Sequence, residues 1–271
     1  MANIRNMASE IYSLEQLSGK NTVAHRLHPI VKMFSAFLFI VTVISFGRYE
    51  FGRMIPYVFF PVILIAVSET PHFMLFKRVL LALPFCLFIG LSNIFFDRAT
   101  AFTISGISIS YGAISLFVIL FRTYLCVMAV LILIAITPFS ELTAQLRRLK
   151  APDIFVTTLE MTYRYIGVLL EEAASMHMAY TLRGAMRHKK GIDMRHMGSF
   201  VGQLLLRSFD RAERVYHAMK CRGFAQRRFQ TKKRKLTVSD IFYLIIVCVF
   251  CVLFRVFDIC GLFIAWFGGL F

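Results

Sequence analysis

One stretch of the chain rules out an ordinary soluble fold. From Tyr111 to Ile136 it reads YGAISLFVILFRTYLCVMAVLILIAI, with Arg122 as its one formal charge. An apolar run longer than about 18 residues is long enough to cross a bilayer as a helix. In lipid a helix satisfies its own backbone, whereas irregular chain does not. The arginine is costly at mid-depth, so it is expected to face the bundle or to snorkel. Four more apolar runs accompany it: Ile30–Phe46, Ile55–Val67, Val79–Phe96 and Ile241–Phe257. The first, at about 1.5 Å per residue, is about 26 Å long and just spans with flanking help. The second is short and holds Pro56 and Pro61, so it is expected to lean on its neighbours or to be re-entrant. The third contains Pro84 and Gly90, both tolerated in buried membrane helices. Overall 58% of the residues are hydrophobic, against about 45–50% in a soluble domain. The expected class is all-α: a polytopic membrane bundle of about five spans.

Charge then sets the organisation. The formal net charge is +16, and 20 of the 31 Lys and Arg lie between Phe139 and Asp240. Basic residues beside membrane spans mark the cytoplasmic side, so no nucleic-acid partner is needed to account for them. Four parts follow: a polar cytoplasmic segment at 1–29, a four-span bundle at 30–137, a cytoplasmic domain at 138–240, and a last span with a short tail at 241–271. Residues 1–29 have no signal-peptide core, and Pro29 suits the first turn of a helix. Residues 68–78, with Lys77 and Arg78, are expected inside, and the Ser/Thr-rich loop 97–110 outside. Thr137-Pro138 reads as an N-cap followed by proline at the first helical position. A short basic helix follows to Lys150. Arg227-Arg228 and Lys232–Lys235 form a second basic run able to meet anionic lipid headgroups.

The residues that usually announce catalysis are missing from this pattern. There is no G-x-x-x-x-G-K-[ST] phosphate loop, no H-E-x-x-H and no nucleophile elbow. The seven histidines are scattered, and Met176-His177-Met178 places adjacent side chains in different directions on a helix. Glu171-Glu172 is an acidic pair on successive positions. Cys248-x-x-Cys251 lies inside an apolar run, where free cysteine packs as a small hydrophobe. A membrane enzyme acting on a lipid or isoprenoid would need clustered acidic or His residues at a membrane face. The expectation is a non-enzyme that binds no metal or cofactor itself.

What stands out in the charged domain is a repeated helix ending. Residues 153–184 form a long helical pattern ending Leu182-Arg183-Gly184. Ser199 to Phe224, SFVGQLLLRSFDRAERVYHAMKCRGF, is amphipathic, with Val201, Leu205, Phe209, Ala212, Tyr216 and Met219 along one face. It ends Cys221-Arg222-Gly223. Glycine is the usual left-handed terminator, and a cation just before it meets the negative end of the helix dipole. Asp210 and Arg214 are spaced to meet on the helix surface. An arginine at a helix tip also offers a planar fork of donors to a partner carboxylate.

The segment LLLRSFDRAERVYHAMKCRGF resembles the signature of the transmembrane T component of energy-coupling factor transporters. YSLEQLSGKNTVAHRLHPIVKM resembles the amino terminus of the CbiQ type, which serves cobalt or nickel uptake. The resemblance covers the layout of nearly the whole chain. It implies that two Ala-Arg-Gly motifs contact two ATP-binding cassette ATPase subunits. These map onto Arg183-Gly184 and Arg222-Gly223, with Leu182 and Cys221 in place of the alanines. It also implies that ATP and Mg²⁺ are bound by those partners, and that a separate membrane subunit binds the substrate. A T component serving a vitamin importer, such as one for biotin, has the same coupling domain, so the substrate stays open between these. The setting implied is the cytoplasmic membrane of a bacterium or archaeon.

Overall fold

The computed structural model describes residues 22–47, 50–96, 100–104, 107–183, 194–224 and 237–256. The helices are α1 (Val23–Arg26), α2 (Pro29–Ile44), α3 (Phe51–Met54), α4 (Phe59–Ser68), α5 (His72–Phe96), α6 (Tyr111–Ile136), α7 (Phe139–Arg148), α8 (Asp153–Arg183), α9 (Met194–Cys221) and α10 (Val238–Val256). A 3₁₀ turn, Ile55–Val58, joins α3 to α4. A small antiparallel hairpin, β1 (Thr100–Ile104) and β2 (Ile107–Ser110), joins α5 to α6. The chain divides into a bundle unit, within Glu15–Leu142 and Arg234–Phe271, and an insert unit within Thr143–Lys233. It is an all-α membrane bundle, with the hairpin as a connecting loop.

Among the described residues, four stretches are long and apolar enough to cross a membrane: Phe51–Ser68, His72–Ser92, Gly112–Ile136 and Val238–Val256. Pro29–Ile44, the first expected span, is shorter, at 16 residues. It covers about 24 Å of a hydrocarbon layer about 30 Å thick. The second run is a correction in the other direction. Expected to be short, it continues back through Ile55 to Phe51. Pro56 sits at the start of the 3₁₀ turn and Pro61 in the first turn of α4. The third helix also starts earlier than expected, at His72, and so includes Lys77 and Arg78. Loop 97–110 carries the hairpin, although 97–99 and 105–106 lie outside the described residues, as do residues 1–21, Asp258 and the tail.

The bundle core is aromatic. Tyr57, Phe39 and Val43 are fully buried, with Met54, Leu125 and Cys251 around them. Phe39 stacks on Phe60 at 4.4 Å between ring centroids. Tyr57 donates its hydroxyl proton to the Cys251 carbonyl over 2.9 Å, so its polar tip is satisfied where water is absent. Cys251 is thus a packed thiol, as the apolar setting of the C-x-x-C suggested. On the α5–α6 side, a Cβ on Gly90 would lie 3.1 Å from Leu116 Cγ, which is why a residue without one stands at this crossing.

Both ends of α2 are held by other helices. At its C-terminal end Arg122 of α6 donates Nη2 to the carbonyls of Phe46 (2.6 Å) and Gly47 (3.2 Å). The mid-run arginine therefore faces the bundle and meets the negative end of a helix. Arg255 of α10 reaches the Ser45 carbonyl at 3.1 Å, lies 4.5 Å from the Phe46 ring centroid and pairs with Glu50 at 3.6 Å. At the N-terminal end, the α2 cap residue His28 is buried and accepts from the Ile30 N–H on Nδ1. Its own N–H donates to Asp240 of α10 over 2.8 Å.

Thr137 does not act as the expected cap. The Pro138 carbonyl accepts the first N–H groups of α7, from Glu141 and Leu142. The Thr137 hydroxyl is buried with no hydrogen-bond partner among the described residues.

Candidate functional site

The insert unit is built from two long helices, and the way each ends follows from local sequence. α7 stops at a left-handed Lys150 (φ 63°). The Ala151 N–H donates to the Leu146 carbonyl and the Lys150 N–H to that of Arg147, the paired bonds of a Schellman motif. Arg147, mostly buried, then reaches forward to Asp153 (3.4 Å) and Glu160 (3.5 Å) on α8. α8 runs 31 residues from Asp153 to Arg183, close to the bounds expected from its pattern. Thr157, Thr158 and Thr162 turn their hydroxyls back onto carbonyls one turn earlier, which keeps these polar side chains compatible with the helix interior.

α9 starts at Met194, five residues before the amphipathic stretch that was read from Ser199. It ends as the sequence suggested. Gly223 is left-handed at φ 73°. The Phe224 N–H donates to the Met219 carbonyl at 3.1 Å and the Gly223 N–H to that of Lys220 at 2.9 Å, a second Schellman motif. Arg222 is the last residue before the left-handed turn and is exposed. Arg183 closes α8 and is exposed as well. Gly184, the expected terminator of α8, lies outside the described residues.

The two helices are clasped by residues that spacing alone could not pair. Glu172 of α8 accepts from Arg207 Nη1 at 2.6 Å on one oxygen and from Arg211 Nη2 at 2.8 Å on the other. The hydrogen bond from Arg207 holds the Glu172 carboxyl below its ordinary range, helped by the charges of Arg207 and Arg211 against the opposing effect of desolvation. Of the acidic pair Glu171-Glu172, it is Glu172 that carries this role. Asp210 and Arg214 form no ion pair; the arginines one turn apart on α9, Arg207 and Arg211, face α8 instead. Each partner lies 35 to 39 residues from Glu172, so the i, i+4 spacing of the arginines was the one available signal.

Apolar area remains uncovered. Val201, Leu205, Phe209 and Tyr216, four positions of the stripe on α9, are each more than half exposed. Lys220 sits 5.2 Å from the Tyr216 ring centroid at the Arg222 end. A long helix with a bare apolar stripe and an exposed guanidinium at its tip can bind an apolar surface along its length and a carboxylate at its end. Among the described residues no three His, Cys, Asp or Glu gather in a group able to hold a metal ion.

Known proteins give this arrangement a context. Residues 20–233 match the model of the CbiQ family, described as cobalt transport protein. The chain is 25% identical over 72% of its length to an uncharacterised protein of Methanocaldococcus jannaschii, of which the match covers 70%. It is 32% identical to the cobalt transport protein CbiQ of Rhodobacter capsulatus, over 37% of this chain and 39% of that protein. It is 33% identical to the nickel permease LarQ of Lactiplantibacillus plantarum, over 32% of each. The matches to the two named transporters thus span 32% and 39% of their lengths. The family match covers both units, from α1 through the end of α9, and the chain belongs to the CbiQ family of cobalt transport proteins.

Proposed function

We propose that this chain is the energy-coupling T subunit of a cobalt or nickel importer. It carries movement from two ATP-binding cassette ATPases to a separate substrate-binding membrane subunit. ATP and Mg²⁺ belong to the ATPases and the metal cargo to the substrate subunit, so this chain is not itself an enzyme. It works in the cytoplasmic membrane of a bacterium or archaeon, with the insert unit on the cytoplasmic side. The supporting observation is the tip of α9. A Schellman turn at Gly223 ends the helix and leaves Arg222 exposed, on a chain whose family is a transport family. Arg183 holds the corresponding place on α8. Each arginine anchors one ATPase by a charge-assisted contact to a carboxylate, and the bare apolar stripe of α9 faces the substrate subunit. Metal rather than vitamin cargo is favoured by the cobalt and nickel transporters among the relatives.

The test is a pull-down of the ATPases with Arg183→Ala, Arg222→Ala and the double variant, with uptake measured alongside. Leaving a buried carboxylate unpaired costs about 2–5 kcal/mol, so each single variant should weaken assembly or uncouple hydrolysis from uptake, and the double variant should do worse. Lysine should rescue in part, since it keeps the charge without the planar fork. An arginine that only caps its helix would cost about 1 kcal/mol or less and leave the complex intact. Normal assembly and normal uptake in the double variant would rule the reading out.

A further inference from the structure

The chain passes from the bundle unit to the insert unit in the first turn of α7, shortly after α6, and comes back before α10. The divisions fall after Leu142 and after Lys233. Both crossings are tied, on the bundle side, to the same turn of α2. Lys32, 2% exposed, extends Nζ to the carbonyl of Ile136, the last residue of α6, at 3.0 Å, and to that of His25 in α1, also at 3.0 Å. Asp240, 4% exposed, accepts the Thr237 N–H on one oxygen and the His28 N–H on the other, each at 2.8 Å. Thr237 is the residue just before α10, so Asp240 supplies the returning half of a capping box and ties that cap to the cap of α2.

Both are buried charged groups, and their burial is costly unless every charge is met by hydrogen bonds. An apolar pair would hold three helix ends together without that cost. What a charged pair adds is direction: each bond fixes a particular carbonyl or N–H at a particular place. The points fixed are the carbonyl that ends α6, six residues before the outgoing division, and the first cap after the returning one.

We propose that Lys32 and Asp240 are positioning residues for energy coupling: they lock both crossings to α2, so that displacement of the insert unit moves the bundle instead of bending the connections. This rests on the coupling function proposed above. The two crossings enter the bundle through groups on one helical turn, so a pull on either reaches α2 without passing through the apolar core.

The test uses the complete complex in proteoliposomes, with Lys32→Met, Asp240→Asn and, as a neighbouring control, Ser35→Ala. Ser35 is buried beside the pair and bonds to the Lys32 carbonyl and to Tyr243, but to neither crossing. For Lys32→Met and Asp240→Asn, ATPases should still be captured in wild-type amounts and ATP hydrolysis should persist. Uptake per captured complex should fall roughly two- to thirtyfold, the range single residues impose on coupling between sites. Ser35→Ala should leave the ratio of uptake to hydrolysis unchanged. A purely structural role predicts something else: less folded complex, with uptake and hydrolysis lost in the same proportion, or the same ratio shift in Ser35→Ala. Either result overturns the proposal, as does normal uptake in both variants. Asp240→Asn keeps one acceptor oxygen and is the milder change, so it reports even where Lys32→Met lowers the yield. A wild-type chain that captures no ATPase would sink the coupling function itself, whereas a wild type that couples beside variants that couple equally well would sink this inference alone.

Discussion

At the residue scale, two positions adopt the same left-handed backbone with opposite suitability. Gly223 (φ 73°) and Lys150 (φ 63°) each occupy the turn position of a Schellman motif. Nothing lies within 4 Å of where a Cβ on Gly223 would point, so substitution there is opposed by backbone conformation alone. Gly223→Ala should cost about 1 kcal/mol in the last turn of α9, and Asn, the other residue that tolerates this region, should cost less. Lys150→Gly should gain about 0.5–1 kcal/mol, because it removes a Cβ from the same conformation. Amide exchange at Phe224 and Ala151, whose N–H groups close the two motifs, would read both changes; equal protection in variants and parent would contradict the assignment. The α9 turn was legible because glycine announces it. The α7 turn was not, since lysine carries no such signal.

Among the elements, the clasp between α8 and α9 is the feature that local pattern could not supply. Periodicity found both helices and their apolar stripes, and Arg-Gly found one end. It misjudged the start of α9, because a basic segment looks like loop whether or not it coils. The pairing of Glu172 with Arg207 and Arg211 joins residues from different helices, and nothing in either helix alone requires it. Its pH behaviour follows from the direction of the shift. The Glu172 carboxyl is held below its unfolded value, so the clasp contributes fully above the ordinary glutamate range, near pH 4.3. The contribution is lost as pH falls through the lower, folded value. The protection of α9 amides in detergent, exchange relative to the intrinsic rate at each pH, should be flat from about pH 7 to 5 and should fall only below about pH 4. Glu172→Gln should show the acid-like loss of protection already at pH 7, and protection in the parent that falls between pH 7 and 5 would show that another group governs the clasp.

Taken whole, the molecule shows which parts of a membrane fold a sequence displays and which it hides. The apolar runs gave the spans, because lipid demands continuous helix. Their limits moved where charge interrupts the pattern: the second span reaches back past Arg53 to Phe51, and α5 includes Lys77 and Arg78. The direction of the helices is now fixed by hydrogen bonds. Lys32 meets the end of α6 and Arg122 meets the end of α2, so the two run antiparallel, and the hairpin leads into α6 at the end opposite Ile136. With the basic insert inside, a cysteine placed at Ser105 in a cysteine-free background should react with an impermeant thiol reagent in intact cells. Labelling only after lysis would invert the topology.

The pinning of α2 at both ends also bears on how the protein is made. Of the described bundle helices that approach a membrane span, α2 comes earliest in the chain, and at 16 residues it is a poor span alone. The groups that complete it come late: Arg122 lies 76 residues after Phe46, Arg255 lies 210 after Ser45, and Asp240 lies 212 after His28. Until α10 has entered the membrane, α2 lacks Asp240 at one end and Arg255 at the other. A nascent chain stopped before Val238 would therefore hold its opening helix loosely, within reach of quality-control proteases. The bundle closes only when its last helix meets its first.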